Sequence, residues 1–166
     1  MALSLAELMA RHARPGRLDW IGVRPDRHAT VRVLRQVDAV AGFGLTGDRA
    51  ALRSSGRRQV TLLQSEHLIV IASLLGVATV PEAALRRNLV VSGINLLALR
   101  DRRFYVGDVL FQGSGICAPC SRMESALGHG AYTAMRGHGG ITARVLSSGR
   151  LSLHDPILPE SGLGPT

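Results

Sequence analysis

Short apolar segments broken by glycine run through the whole sequence, and they most limit the folds that it can adopt. The chain has 19 glycines among 166 residues, and the segments between them follow strand-like patterns of alternating or β-branched residues. No regular alternation of strands and helices is present, which argues against a doubly wound parallel sheet. The pattern predicts a mainly β fold, a closed or partly closed β-barrel with a few short helices.

The predicted strands outnumber the predicted helices. The strands are residues 20–24, 31–40, 60–64, 88–92, 103–106, 108–112, 141–146 and 150–153. A turn signal at residues 147–149 predicts that the last two form a hairpin. The helices are residues 3–12, 65–75 and 118–127. Ser65 is the expected cap of the second helix and Gly76 its end, while Pro119 and Gly128 bound the third.

The length of the chain predicts one domain. We expect an N-terminal helical extension at residues 1–16, a single barrel domain at residues 17–160 and a flexible tail at residues 161–166. The longest apolar run, residues 68–81, is shorter than the roughly 20 residues that cross a bilayer. No signal-peptide pattern opens the chain. These features predict a soluble, cytoplasmic protein without a membrane partner.

All 20 basic residues are arginines, and the net charge is +8. The absence of lysine excludes a Schiff-base lysine, and with it covalently bound pyridoxal phosphate. It also excludes a phosphate-binding loop of the GxxxxGK[ST] type. The charge predicts an anionic partner. Nucleic acid is disfavoured because aromatic residues make up only 4% of the chain, whereas a phosphate or pyrophosphate held by guanidinium groups fits.

The only two cysteines, Cys117 and Cys120, lie in the sequence Cys-Ala-Pro-Cys. In a reducing compartment such a pair indicates metal or redox chemistry more often than a structural disulfide. Four interpretations stay open: two small buried side chains, a thioredoxin-like redox pair, a zinc site completed by His129 and His138, or one reactive thiolate that ligates a soft metal or carries sulfur. The redox pair needs an α/β fold, and the histidines lack zinc-finger spacing.

The flanking segments favour the last interpretation. In chain order they read GLTGDR at 44–49, RQVTL at 58–62, RRNLVVSGINL at 86–96, VGD at 106–108, APCSR at 118–122 and GGITARV at 139–145. This ordered set resembles the MOSC domain, which is named after the C-terminal part of eukaryotic molybdenum-cofactor sulfurase. The resemblance extends from about residue 20 to residue 157, and it identifies the chain as a stand-alone member of bacterial type.

The resemblance implies a barrel of the pyruvate-kinase β-barrel-like kind. It also implies binding of the molybdenum cofactor (molybdopterin) or handling of its sulfur. Cys120 matches the family's functional cysteine, which coordinates molybdenum in the amidoxime-reducing relatives and is a proposed persulfide carrier in the sulfurases. Cys120 is therefore the expected metal ligand and catalytic residue. Cys117 has no counterpart in the family.

Arg86 and Asn88 match a family segment that contacts the phosphate end of the pterin in the amidoxime-reducing relatives. The cofactor-binding residues that the resemblance implies are Arg86, Asn88, Ser92, Asp48, Arg49 and Arg122. Structural alternatives stay open for four of them. These are a surface arginine at Arg86, a strand-start residue at Asn88, a turn residue at Ser92 and an aspartate at Asp48 that caps its own turn.

The activity implied by the resemblance is that of a molybdenum-dependent oxidoreductase, which reduces N-hydroxylated bases or amidoximes with electrons from a redox partner protein. The alternative is a non-redox sulfur carrier with a persulfide on Cys120, or a cofactor-handling module that works with a sulfurase. Ala50 stands where many relatives carry histidine. The chain is also too short for the extra N-terminal region of the amidoxime-reducing proteins. We therefore expect a partner protein or a homodimer to complete the cofactor site.

Overall fold

Eleven short strands and four short α-helices make up the described part of the computed structural model, residues 1–53 and 56–160. The strands are β1 (Gly16–Val23), β2 (Arg32–Leu34), β3 (Gln36–Val40), β4 (Gly44–Leu45), β5 (Val60–Gln64), β6 (Leu89–Ser92), β7 (Arg103–Val106), β8 (Val109–Ile116), β9 (Ile141–Val145), β10 (Gly149–Ser152) and β11 (Pro156–Pro159). The helices are α1 (Leu5–Met9), α2 (Ser65–Leu75), α3 (Ser121–Leu127) and α4 (Ala131–Met135). Three 3-10 turns span Arg49–Leu52, Glu82–Leu85 and Leu96–Leu99. The expected tail, residues 161–166, lies outside the described residues.

Seven of the strands close into a barrel. Their order around it is β1-β11-β7-β8-β9-β5-β6, and pairing of β6 with β1 completes the ring. Neighbouring strands are antiparallel except β5 and β6, which are parallel. The connection between these two contains α2, because parallel neighbours need a crossover. The prediction of a mainly β barrel with a few short helices is confirmed.

A second, three-stranded sheet, β10-β3-β4, corrects two of the predictions. Residues 31–40 are not one strand, because β2 pairs with β1 of the barrel while β3, beyond a bend at Arg35, pairs with β10. The expected hairpin of residues 141–153 is wrong as well. Strand β9 pairs with β5 and β8 in the barrel, whereas β10 belongs to the second sheet. The turn between them therefore leads from one sheet to the other.

The helices depart from the predictions at their ends. Helix α1 is shorter than the expected residues 3–12 and buries no residue; Ser4 and Glu7 form a capping box at its start. Helix α2 covers the expected residues, but Ser65 is its first residue and not its cap. It ends at Gly76, whose φ of 69° lies in the left-handed region that glycine adopts at low cost. None of the helices in residues 1–53 and 56–160 has the length and apolar character needed to cross a membrane.

Two apolar clusters hold the fold together. The larger one fills the barrel and includes the stacked rings of Phe104 and Phe111, whose centroids lie 5.6 Å apart. The smaller one lies between the barrel and the helices, and it joins Leu63 of β5 to Met123 of α3 and Met135 of α4. Because Met123 is buried in the first turn of α3, this cluster also fixes the residues that directly precede the helix.

Candidate functional site

A cavity of about 670 Å³ opens at the end of the barrel where β1 finishes and β5 and β6 begin, and is named here the Cys120 cavity. Eight arginines line it, namely Arg24, Arg27, Arg49, Arg53, Arg58, Arg86, Arg87 and Arg122. The other lining residues are Thr61, Cys120, Ser121 and Met123, so no described acidic residue lines this cavity. Clustered charges of one sign in a cleft raise the local concentration of ions of the opposite sign. The cavity is therefore suited to bind an anion.

Cys120 stands at the entrance to α3, where its side chain is exposed and belongs to the cavity wall. The expected helix of residues 118–127 begins later than predicted, at Ser121, because Cys120, the residue before it, has extended backbone. The carbonyl of Cys120 accepts a hydrogen bond of 2.9 Å from the backbone N–H of Met123. The thiol is thus presented to solvent by a residue whose backbone is tied to the first turn of the helix.

Arg87 holds the loop that carries both cysteines, a role that the sequence analysis missed. Its guanidinium is buried and donates to the carbonyls of Gly139, Leu85 and Cys117 at 2.9, 3.0 and 3.4 Å. The N–H of Cys117 in turn donates to the carbonyl of Gly140 at 2.9 Å. Arg87 therefore joins three separate segments of chain beneath the Cys120 cavity.

Two of the arginines expected to bind the cofactor, Arg86 and Arg122, meet at one point of the wall. Both donate to the backbone carbonyl of Arg27, at 3.0 and 3.4 Å. Arg86 has a φ of 57°, which is uncommon outside glycine, and its buried Nε has no hydrogen-bond partner among the described residues. Arg49 lines the same cavity. The structure brings Cys120, Arg49, Arg86 and Arg122 together.

Asp48 and Asn88, also expected to bind the cofactor, use their polar atoms within the protein. The buried carboxylate of Asp48 accepts from the N–H groups of Arg24 and Ala50 at 2.9 and 3.1 Å. The buried Asn88 amide accepts from the Thr61 N–H and hydroxyl at 3.0 and 3.1 Å, and donates to the Gly22 carbonyl at 3.1 Å. These contacts join β1, β5 and β6, so both side chains shape the wall of the site.

Ser92 lies apart from this group. It ends β6 and pairs with Arg17 at the start of β1, while Asn88 precedes the first residue of β6. The residues that line the Cys120 cavity do not include Ser92. The structure therefore does not bring Ser92 to the site, because four residues of extended strand separate it from Asn88 by about 13 Å.

Arg24 is a second residue that the sequence analysis missed, and it shows the electrostatic character of the site. Burial lowers the pKa of its guanidinium below the ordinary value. The charges of Arg86, Arg49 and Arg122 lower this pKa further, while the carboxylate of Asp48 raises it. Arginine stays charged despite such shifts, so an anion bound beside Arg24 relieves repulsion among these side chains.

The two thiols have different surroundings. Cys117 is buried, with Nη2 of Arg58 at 4.0 Å from its Sγ, whereas Cys120 is exposed, and both are free. Within the described ranges no three His, Cys, Asp or Glu side chains lie close enough together to hold a metal ion. His129 and His138 therefore do not complete a zinc site with the cysteines. The barrel likewise lacks the α/β framework that a thioredoxin-like pair needs.

Fold and site together define a class of protein: a β-barrel domain with an arginine-lined anion cavity and one accessible thiol in its wall. A sequence model of the MOSC domain matches residues 25–158. The chain belongs to the MOSC domain family, as its ordered motifs predicted.

Solved structures show the same fold at low sequence identity. The YuaD protein from Bacillus subtilis is 21% identical, with a TM-score of 0.73 over 87% of this chain and 94% of that one. YiiM from Geobacillus stearothermophilus is 18% identical, with a TM-score of 0.71 over 90% of this chain and 78% of that one. YiiM from Escherichia coli is 19% identical, with a TM-score of 0.64 over 90% and 72% of the two chains. No curated protein matched the chain by sequence.

The framework role of Asn88 predicts a large effect on stability. Asn88→Ala removes the acceptor of the Thr61 N–H and the side-chain donor to the Gly22 carbonyl, and we expect a loss of about 2–4 kcal/mol in the free energy of unfolding. Ser92→Ala, at the other end of β6 and with no such contacts, is expected to stay within about 0.5 kcal/mol of the wild type. Urea denaturation of the two variants tests the difference, and equal unfolding midpoints would contradict this role of Asn88.

Proposed function

We propose that the chain binds the molybdenum cofactor, with Cys120 as the thiolate ligand of the metal and Arg49, Arg86 and Arg122 as ligands of the cofactor's phosphate. The observation that carries the proposal is the exposed Cys120 thiol in the wall of a cavity lined by eight arginines. Membership of the MOSC domain family, whose members are associated with this cofactor, supports it.

The residues present fit the chemical groups of this cofactor. Guanidinium groups bind phosphate oxygens through paired, charge-assisted hydrogen bonds, and Arg86 has a buried Nε without a partner among the described residues. Cysteine thiolates are ligands for transition metals, and Cys120 is free. The lining contains no described acidic residue that would repel a phosphate. Arg87 keeps the cysteine loop in position through its three carbonyl contacts.

The activity we propose is reduction of N-hydroxylated bases or amidoximes. When bound, the cofactor supplies the redox chemistry, and a partner protein supplies the electrons. The chain's own residues bind and orient the cofactor. Cys120 binds its metal end, and Arg49, Arg86 and Arg122 bind its phosphate end. Asp48 and Asn88 hold the backbone segments of the cavity wall in place through their hydrogen bonds. A redox partner, or a second copy of the chain, would cover the open side of the cavity.

Loss of one phosphate ligand tests this assignment. Arg86→Gln is expected to lower the pterin retained on purification by at least about tenfold, the effect of losing a charge-assisted hydrogen bond. Arg136→Gln is the matched control, since Arg136 is exposed and does not line the Cys120 cavity. Pterin is measured by its fluorescence after oxidative release from protein made in a host that synthesises the cofactor. Equal amounts of retained pterin in the two variants would contradict the assignment of Arg86 as a ligand of the cofactor's phosphate.

Sulfur carriage by Cys120 is a second candidate, and the exposure of its thiol favours it. In this reaction the Cys120 thiolate takes a sulfur atom from a donor persulfide, and the donor is left with a thiol. Mass spectrometry of protein incubated with a sulfur donor, without reductant, is then expected to show an adduct of about 32 Da on Cys120. Cys120→Ala provides the control, and an unmodified Cys120 in the wild type would dismiss this candidate.

A further inference from the structure

A second cavity, of about 520 Å³, opens beside the Cys120 cavity. The two share Arg24, Arg49, Arg53, Arg58 and Thr61. The second one, named here the Arg57 cavity, is lined in addition by Asp48, Ala50, Gly56, Arg57, Gln59 and Asn88. Its volume lies within the range of about 300–1,000 Å³ that is usual for small-molecule sites, and it is far larger than a single phosphate group requires.

The neutral polar side chains of the Arg57 cavity are already hydrogen-bonded within the protein. Gln59 is buried, donates to the carbonyl of Gly42 at 3.0 Å and accepts from the N–H of Val145 at 2.9 Å. Asn88 and Thr61 bond to each other as described above. Recognition of a ligand in this cavity therefore falls to the arginines, and the ligand must be an anion.

Arg57 and Arg58, two consecutive arginines that line the Arg57 cavity, belong to a segment whose backbone is fixed to the barrel. The carbonyl of Arg57 accepts a hydrogen bond from the hydroxyl of Ser114 in β8, which also lies 2.9 Å from the hydroxyl of Thr142 in β9. The next residue, Arg58, places its guanidinium near the Cys117 thiol. A backbone anchored in this way needs no further ordering when an anion binds to the side chains, which favours affinity.

The charge of the two cavities exceeds that of one phosphate. Among the described lining residues, the eight arginines of the Cys120 cavity and Arg57 face a single carboxylate, that of Asp48. Arg87 is engaged by three backbone carbonyls, whereas Arg86 and Arg122 each give one N–H to the Arg27 carbonyl and keep further donors for a ligand. A phosphate monoester carries only about −1.5 to −2 charge near neutral pH. A second anionic group beside the first fits the remaining positive charge.

We propose that the Arg57 cavity binds a nucleoside phosphate, next to the phosphate of the cofactor in the Cys120 cavity. This inference rests on the proposed function for the neighbouring occupant and for the choice of a nucleoside, since the proposed reaction acts on N-hydroxylated bases. Guanidinium planes also stack on aromatic bases, so the arginines that bind the phosphate provide surfaces for the base. The nucleoside phosphate has two sources: a nucleotide substrate, or the nucleotide half of a dinucleotide form of the cofactor.

The test measures nucleotide and molybdenum on the same preparation of full-length protein from a cofactor-synthesising host. One portion is extracted with acid and analysed for nucleotides by chromatography. Another is titrated by calorimetry with adenosine monophosphate and with adenosine. We expect Arg57→Gln to weaken binding of adenosine monophosphate by at least about tenfold, whereas Arg136→Gln, with the same change of charge, binds it like the wild type.

Each outcome decides the proposal. Binding of adenosine monophosphate that depends on Arg57, with no nucleotide in the acid extract, supports the cavity and identifies a nucleotide substrate. About one nucleotide per molybdenum in the extract supports the cavity and identifies a dinucleotide cofactor. No nucleotide in the extract together with equal binding by the Arg57→Gln and Arg136→Gln variants overturns the proposal. Molybdenum content reports on the proposed function separately, because a preparation without molybdenum still presents the Arg57 cavity to the nucleotide.

Discussion

Cys120→Ser is expected to lower the turnover of an N-hydroxylated base, measured with a supplied electron donor, by at least about a hundredfold. Replacement of groups that merely support a metal ligand costs about 10–100-fold in affinity or activity, and Cys120 is proposed as the ligand itself. The fold is expected to persist, since the Cys120 side chain is exposed and contributes to neither apolar cluster.

The neighbouring cysteine provides the control for this prediction. Cys117 is buried and does not line the Cys120 cavity, so Cys117→Ala removes a thiol from the same motif while the Cys120 thiol stays in the cavity wall. We expect this variant to keep turnover close to that of the wild type. Wild-type turnover in Cys120→Ser would contradict the catalytic role of Cys120, and a loss confined to Cys117→Ala would transfer that role to the buried thiol.

Arg87→Met is expected to lower the free energy of unfolding by about 3–5 kcal/mol, the largest effect on stability that we predict. Methionine fills part of the space but leaves the carbonyls of Gly139, Leu85 and Cys117 without their donor. Arg87→Lys is expected to restore only part of the loss, because an ammonium group cannot reach three carbonyls in a fork.

Arg86→Met is the control for Arg87→Met, since Arg86 is only half-buried and donates to a single carbonyl. We expect it to stay within about 1 kcal/mol of the wild type. Urea denaturation followed by circular dichroism measures both variants. Equal unfolding midpoints for the two would show that Arg87 does not hold the cysteine loop.

The barrel was predictable because its strands are short, apolar and bounded by glycine, whereas the pairing of those strands was not. The patterns of β9 and β10 are those of a hairpin, yet these two strands pair with partners far away in sequence. The bend at Arg35 carries no glycine or proline that would mark it. Sheet pairing depends on which apolar faces meet in the fold, and periodicity along one segment does not contain that information.

The part of the site that lies within the ordered family motifs was predictable from the sequence. The motifs around Cys120, Arg86 and Arg49 lie together in the structure. Arg24, Arg27 and Arg53 were missed because they are scattered outside the motifs, and only folding brings them to one cavity. The available signal was the composition, in which every basic residue is an arginine. Asn88 and Asp48 have residue types that suit either a ligand or the framework, and only their hydrogen bonds distinguish these roles.

The most direct test of cofactor binding through Cys120 is the molybdenum content of the protein, measured by inductively coupled plasma mass spectrometry. Wild type, Cys120→Ala and Cys117→Ala are purified side by side from a host that synthesises the cofactor. We predict nearly one molybdenum per chain in the wild type and in Cys117→Ala, and about a tenth of that or less in Cys120→Ala. Equal molybdenum in all three proteins, or none in the wild type, would contradict a molybdenum site with Cys120 as its ligand.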